Sequence, residues 1–233
     1  MHKTRHLFGR FWLRQVAFFV LSVAGASAAW AAPFQNGSFE LGTDPGSFLQ
    51  RVTGGSDITG WTVSSGNIDY IGTYWMPHSD GARSLDLSGG RAGRMGTIEQ
   101  AFDTVAGHEY RVTFAMSGNS DCGNAVKTMR VAATGGVSVD YTFDTATPGH
   151  SRMNMIWETQ TYAFTASGAS TTLSFSSLEN SNCGPALDHV QLVDRSAATT
   201  RVTAVPTLSE GTLILLGVAV GAAALRRRKA TGR

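Results

Sequence analysis

The stretch Cys183-Gly-Pro-Ala-Leu-Asp-His-Val-Gln-Leu192 decides how this chain folds. A Gly-Pro turn precedes a short apolar strand that includes Leu187 and Val190, and Asp188 interrupts it. Because an isolated buried charge costs on the order of several kcal/mol, Asp188 should be paired or bound to a metal. Its predicted partner lies in Asn36-Gly-Ser-Phe-Glu40, so the two ends of the domain are predicted to meet as neighbouring strands and close a β-sandwich.

The rest of residues 33–194 is predicted to form short strands separated by Gly, Ser and Asn turns. Phe34–Leu41 is the predicted first strand, with Phe39 pointing inward. Two hairpins are predicted, 128–133 with 137–143 and 157–166 with 171–178. About nine or ten strands at regular spacing, with no helical periodicity, indicate an all-β fold, an antiparallel β-sandwich or jelly roll.

Residues 1–31 have the pattern of a secretory signal peptide. Basic residues precede an apolar run from Val16 to Ala26, and Ala-x-Ala cleavage sites end at Ala28 and Ala31. An N-terminal membrane anchor is the alternative, but the run is short for a span. The chain is therefore predicted to be exported.

The C-terminal part is predicted to be a linker, 195–204, followed by a sorting or anchor segment, 205–233. In that segment a single hydrophobic helix over 212–225 ends in the basic cluster 226–229, which is a stop-transfer arrangement. The predicted location is the cell envelope or surface, with this helix in the membrane at least until any processing.

The tail resembles the IPTL-CTERM sorting signals of Gram-negative bacteria through Pro206-Thr-Leu-Ser-Glu210, the apolar helix and the arginines after it. The resemblance implies recognition by a sorting machinery. Val205 stands where isoleucine is usual, and Gly211 stands where tryptophan is common. An ordinary C-terminal anchor helix is the alternative.

Charge and cysteine content restrict the function. The 233-residue chain has a formal charge of +2, but its basic residues concentrate at the two ends and leave the domain acidic. An acidic domain argues against nucleic acid as a partner. Cys122 and Cys183 are predicted to form a disulfide in an oxidising compartment. A zinc site is the alternative, although no close His/Cys spacing supports it.

Residues 34–193 resemble the choice-of-anchor C family of bacterial exported domains. The resemblance is carried by the segments Asn36–Glu40, Ile58–Trp61, Ile68–Ile71, Asp80–Gly81, Ser84–Leu87, Ile98–Gln100 and Gly184–Val190. It implies a galactose-binding-like jelly roll, similar to many carbohydrate-binding modules. It also implies a structural calcium ion bracketed by Glu40 and Asp188, since calcium binds several hard oxygens. The alternative is that both carboxylates accept backbone hydrogen bonds or pair with an arginine.

The loop 72–81 holds the candidate ligand-binding residues Tyr74, Trp75, His78 and Asp80. Aromatic platforms beside carboxylates suit the apolar faces and hydroxyl edges of sugars, so the expected partner is a polysaccharide or another glycan. The alternative is that Trp75 is a plug buried beneath the loop.

No nucleophile motif or catalytic zinc motif is present, so the chain is predicted not to be an enzyme. The leading hypothesis is an exported, non-catalytic, carbohydrate-binding-like module. A structural or adhesive protein without a small ligand is the second hypothesis. A glycan hydrolase or lyase is the third, and it would need two acids among Asp69, Asp80, Asp86 and Glu99 to converge in a cleft. Strand alternation is expected to leave those acids on a solvated face instead.

Overall fold

The computed structural model describes residues 32–90, 95–123 and 125–196. The predicted signal peptide, most of the linker and the C-terminal segment lie outside these residues. Within the described ranges, no helix has the length and apolar character needed to cross a membrane.

The described residues form eleven β-strands. They are β1 (Phe48–Val52), β2 (Thr62–Ser65), β3 (Asn67–Ile71), β4 (Ser84–Asp86), β5 (Thr97–Asp103), β6 (Glu109–Gly118), β7 (Val126–Ala133), β8 (Val139–Asp144), β9 (Glu158–Thr165), β10 (Ser170–Ser177) and β11 (Pro185–Asp194).

The strands form two antiparallel sheets. One has six strands in the order β1-β3-β4-β11-β6-β9, and the other has five in the order β2-β5-β10-β7-β8. Most neighbours are distant in sequence because the chain repeatedly crosses from one sheet to the other. This order makes the domain a jelly-roll sandwich, and it confirms the predicted all-β antiparallel class.

The apolar core lies between the sheets. Phe39 and Trp61 pack against each other at one end, with ring centroids 5.3 Å apart. Phe175 contacts Trp61 from β10 and also packs edge-to-face on Phe114 of β6. Leu187 of β11 belongs to the same cluster and is fully buried. The apolar residues of the deciding stretch therefore help to join the two sheets.

Two local predictions are wrong. Residues 34–41 form a turn and irregular chain rather than a strand, because Asn36 and Phe39 adopt the left-handed region, with φ of 52° and 61°. The segments 157–166 and 171–178 do not form a hairpin, since β9 pairs with β6 while β10 pairs with β5 and β7. The turn between them carries the chain across the sandwich.

The other predicted contacts are present. β7 and β8 pair as a hairpin. The two ends of the domain also meet, because the Val190 N–H donates to the Gly37 carbonyl at 2.8 Å. A Cβ added at position 37 would lie 1.8 Å from the carbonyl oxygen of Val190, so only glycine allows the two segments to approach this closely. The ends therefore meet as a turn against a strand, not as two paired strands.

Candidate functional site

Strand alternation turns one row of polar residues away from the core. Ile68, Tyr70 and Leu85 of β3 and β4 point into the core, so Asp69 and Asp86 project from the outer face of the six-stranded sheet. Asp69 and Asp86 are direct partners in the antiparallel register of β3 and β4. Two carboxylates are thus opposed on one face, an arrangement that is normally destabilising.

A cleft of about 220 Å³ opens above this pair, and we call it the acidic cleft. Its polar lining residues are Asp69, Asp86, Asn119, Asp121 and Asn182. Its volume is below the roughly 300–1,000 Å³ of pockets that hold drug-sized ligands. The acidic cleft therefore suits one sugar unit or the end of a longer ligand.

Asp86 is held firmly by the protein. Its Oδ1 accepts hydrogen bonds from the backbone N–H groups of Ser88 and Gly184, at 2.9 and 3.0 Å. Its Oδ2 accepts from Asn119 Nδ2 at 2.9 Å. Burial raises the pKa of Asp86 to about 7, and these donors offset part of the rise. Both oxygens therefore serve to organise the cleft floor.

Asp69 differs from Asp86 because one of its oxygens has no donor. Oδ1 of Asp69 is buried and has no hydrogen-bond partner, and the residue is 9% exposed. Burial raises the pKa of Asp69 to about 6, while a backbone hydrogen bond from Gly90 opposes the rise. A buried acceptor without a donor costs about 1–3 kcal/mol. A ligand that donates a hydrogen bond there would remove this cost.

An aromatic wall stands beside the acids. Phe48, 46% exposed, packs edge-to-face on Tyr74 with ring centroids 5.1 Å apart. The Tyr74 hydroxyl donates to Asp121, and the Arg152 guanidinium lies 4.9 Å from the Tyr74 ring centroid. The Tyr74 ring is therefore fixed in place at the cleft rim.

The disulfide Cys122–Cys183 forms another part of the wall. It joins the loop that carries Asn119 and Asp121 to the segment just before β11. The predicted pairing is confirmed, and the bond lies at the cleft. Because the bond lines the cleft, we expect the geometry of the cleft to depend on both cysteines being oxidised.

The structure separates the four predicted ligand residues. Tyr74 lines the acidic cleft. Trp75 is buried against Ile71 and Met155, and its Nε1 donates to Ser84 Oγ at 2.8 Å. This burial corrects the prediction of Trp75 as a sugar platform and agrees with the alternative of a plug.

His78 and Asp80 also lie apart from the cleft lining. His78 is partly buried and forms hydrogen bonds with Ser84 Oγ and the Gly72 carbonyl. These two bonds hold His78 inside the loop 72–81. Burial lowers the pKa of His78. Asp80 Oδ2 lies 3.0 Å from His189 Nδ1. Their roles as ligand contacts stay a prediction without support from this geometry.

Glu40 and Asp188 hold the same loop from two sides. Asp188 Oδ2 accepts from the Ser79 and Asp80 N–H groups at 2.8 and 2.9 Å. Glu40 Oε1 accepts from the N–H groups of Ala82 and Arg83, both at 2.8 Å. Burial raises the pKa of Asp188 to about 7.

These contacts bear on calcium, which requires oxygen ligands that include carbonyl groups. The loop instead directs N–H groups at both carboxylates, so the donor set fits hydrogen bonding better than it fits a calcium cage. Calcium binding by Glu40 and Asp188 stays a prediction.

The acidic cleft itself was missed by the sequence prediction, which placed Asp69 and Asp86 on a solvated face. Both are at least nine-tenths buried. The alternating patterns of β3 and β4 carry a signal, because each places its acid on the side opposite the apolar residues. Joining them requires the strand register, which the sequence alone does not provide.

Fold and site together define a class: an antiparallel jelly-roll sandwich with an acidic, aromatic-walled cleft on the outer face of one sheet. A family model described as a protein of unknown function (DUF642) matches residues 32–193. The chain belongs to this DUF642 family. Residues 203–230 match the IPTL-CTERM motif, which confirms the predicted resemblance of the tail to that motif. The choice-of-anchor C name stays a prediction.

A similar sequence occurs in Halomucin of Haloquadratum walsbyi (strain DSM 16790 / HBSQ001), 33% identical over 203 residues. The match covers 82% of this chain, but the chain spans only about 2% of Halomucin.

Two solved structures similar to this chain are carbohydrate-binding modules. TmCBM61 in complex with beta-1,4-galactotriose has 14% identity, a TM-score of 0.39, and coverage of 70% of this chain and 98% of its own. Family 16 Carbohydrate Binding Module-2 has 15% identity, a TM-score of 0.41, and coverage of 61% and 98%.

Proposed function

We propose that this protein is an exported, non-catalytic glycan-binding module that acts at the cell envelope or in the matrix outside the cell. The observation that carries the proposal is the acidic cleft, which is lined both by Asp69, whose buried Oδ1 has no hydrogen-bond partner, and by the Tyr74 ring. Sugars present hydroxyl donors on their edges and C–H groups on their faces. They match a buried acceptor beside an aromatic ring.

Export and sorting, as predicted, would bring such a module to a location where glycans are found. The IPTL-CTERM match supports a surface or secreted destination. The disulfide supports an oxidising compartment. In this proposal the domain holds polysaccharide, and the C-terminal segment anchors it to the membrane before any processing.

The test is a glycan-array and polysaccharide pull-down screen on the full chain, kept in solution with a non-ionic detergent. Tyr74→Ala is expected to weaken binding roughly tenfold, because the sugar loses its stacking surface. Val137→Ala is the matched control, since it removes an exposed apolar side chain far along the chain from the cleft residues. Equal binding by wild type and Tyr74→Ala would remove the acidic cleft as the glycan site.

A glycan hydrolase is the second candidate, because two buried carboxylates face each other in a cleft. Glycosidases use one carboxyl group as an acid and the other as a base or nucleophile. Both oxygens of Asp86 accept protein donors, so Asp86 is not free to act as a base or nucleophile opposite Asp69. This difference favours binding over hydrolysis, and incubation with any glycan that binds tests it by release of reducing ends.

A structural or adhesive role without a small ligand is the outcome if no glycan binds. In that case the cost of burying Asp69 and Asp86 would have no ligand to offset it.

A further inference from the structure

We propose that the acidic cleft binds glycans bearing a free, protonated amino group and discriminates against acidic sugars. This inference rests on the proposed glycan-binding function and names its ligand class. It comes from the charges and open hydrogen-bonding positions of the cleft.

Among the described residues that line the cleft, the side chains that can carry charge near neutral pH are all acids: Asp69, Asp86 and Asp121. Arg91 and Arg94 follow Gly90 in the sequence and lie outside the described residues. A carboxylate or sulfate on a sugar would meet like charge there, which is a means of rejecting wrong partners.

The open hydrogen-bonding position is an acceptor. Both oxygens of Asp86 already accept protein donors, and Asp121 accepts from Tyr74. Asp69 Oδ1 remains without a donor although it is buried. An ammonium group has three donors and no acceptor. It can therefore fill this position and neutralise the Asp69 carboxylate, whereas a hydroxyl group supplies only the hydrogen bond.

At neutral pH the Asp69 carboxyl group keeps a negative charge that can attract an ammonium group. Burial raises the pKa of Asp69 to about 6, so its carboxyl group is mostly ionised at pH 7. A calcium ion would meet the same charge but takes six to eight oxygens. Since Asp86 is saturated with N–H donors, the cleft floor offers an organic cation a better fit.

The aromatic wall of the cleft adds a contact surface for the sugar ring. Phe48 and Tyr74 offer aromatic surface to the C–H face of a sugar. The cleft volume of about 220 Å³ suits one sugar unit at a time. A terminal or internal glucosamine-type residue fits these features together.

The experiment titrates the full chain in non-ionic detergent, at about pH 7, with four oligosaccharides of equal length. They are a glucosamine oligomer, its N-acetylated form, a β-1,4-linked glucose oligomer and a polyuronate oligomer. We expect the glucosamine oligomer to bind about tenfold or more tightly than the N-acetylated and glucose oligomers. The polyuronate is expected to bind weakest.

Asp69→Asn removes the charge with little change of shape. It should weaken glucosamine-oligomer binding about 10–100-fold and abolish the preference over the N-acetylated form. Asp103→Asn, the same change at an exposed residue on β5, should leave both affinities unchanged. Far-UV and near-UV circular dichroism of Asp69→Asn verify that the fold is intact.

The outcomes separate the two proposals. Equal binding of glucosamine and glucose oligomers would overturn the amine preference and leave the glycan-binding function in place. Polyuronate binding as tight as that of glucosamine would also overturn it. Binding of no glycan at all would overturn both.

Discussion

Asp69→Asn is expected to make the domain more stable at pH 8, although Asp69 is the acceptor that the proposed site offers to a ligand's donor. The reason is the cost of its charge. Burial raises the pKa of Asp69 from 3.8 to about 6 in the folded domain. The folded state therefore keeps a proton that the unfolded chain has already released between those two values.

The sign follows from proton linkage. Where the folded state binds more protons than the unfolded state, stability falls as pH rises. The wild type should thus lose stability between about pH 4 and pH 6 through Asp69, and the loss should be complete above that window. A shift of about two pKa units corresponds to a ceiling of about 3 kcal/mol. Because water in the cleft screens part of the charge, we expect about 1–2 kcal/mol.

The assay is urea unfolding of wild type and Asp69→Asn at a series of pH values from 4 to 8, with tryptophan fluorescence as the signal. The gain in the free energy of unfolding should be near zero at pH 4, appear mainly across pH 4–6 and level off by pH 8, because the charge of Asp69 also raises the pKa of Asp86, which is about 7. Asp103→Asn, on an exposed part of β5, should change stability by less than about 0.5 kcal/mol throughout. If Asp69→Asn destabilises the domain at pH 8, or gains equally at pH 4 and pH 8, the argument from burial is wrong.

Three further predictions follow from the same contacts. Trp75→Ala should destabilise the domain by about 3–5 kcal/mol, because it empties a buried ring site, and an unchanged thermal melt would contradict the burial of this ring. EDTA should leave the melting temperature unchanged if backbone N–H groups satisfy Glu40 and Asp188, whereas a fall would support calcium there. Replacing Cys122 and Cys183 with serine should cost roughly 4 kcal/mol in the chain-entropy model. The double substitution should also weaken glycan binding. Unchanged glycan affinity in that variant would show that the disulfide is not needed to hold the binding geometry of the cleft.

The sequence was sufficient for the class of fold because alternation is a local property. Period-two patterns identify strands such as β6 and β7 without knowledge of their partners. The meeting of the two domain ends was predicted, and it occurs through the hydrogen bond from Val190 to Gly37. The predicted partner of Asp188 in Asn36–Glu40 was wrong, because Asp188 accepts hydrogen bonds from the Ser79 and Asp80 N–H groups of the intervening loop.

Strand pairing and backbone handedness were not predictable from local pattern. The connection between β9 and β10 has ordinary turn residues, yet it crosses the sandwich because each strand finds its partners elsewhere in the chain. Asn36 and Phe39 break the expected first strand through positive φ, which is unusual for a residue such as phenylalanine. The acidic cleft was not predicted for the same reason, since Asp69 and Asp86 become neighbours only through the register of β3 and β4.

The acidic cleft is where local rules and the whole fold disagree, and this disagreement is the main argument for a function there. Opposed carboxylates on neighbouring strands destabilise a sheet, and a buried acceptor without a donor adds to the cost. The surrounding contacts hold this arrangement in place: Asn119 and two backbone N–H groups fix Asp86, and the disulfide fixes the loop that carries Asn119. A sandwich that needed only stability would place an apolar residue or an asparagine at position 69. Residues that break local preference and are nevertheless well supported are expected at functional sites. The stability gained by Asp69→Asn and the binding lost with it are therefore two measurements of one property, and both must be observed for a ligand to be the reason that Asp69 is an acid.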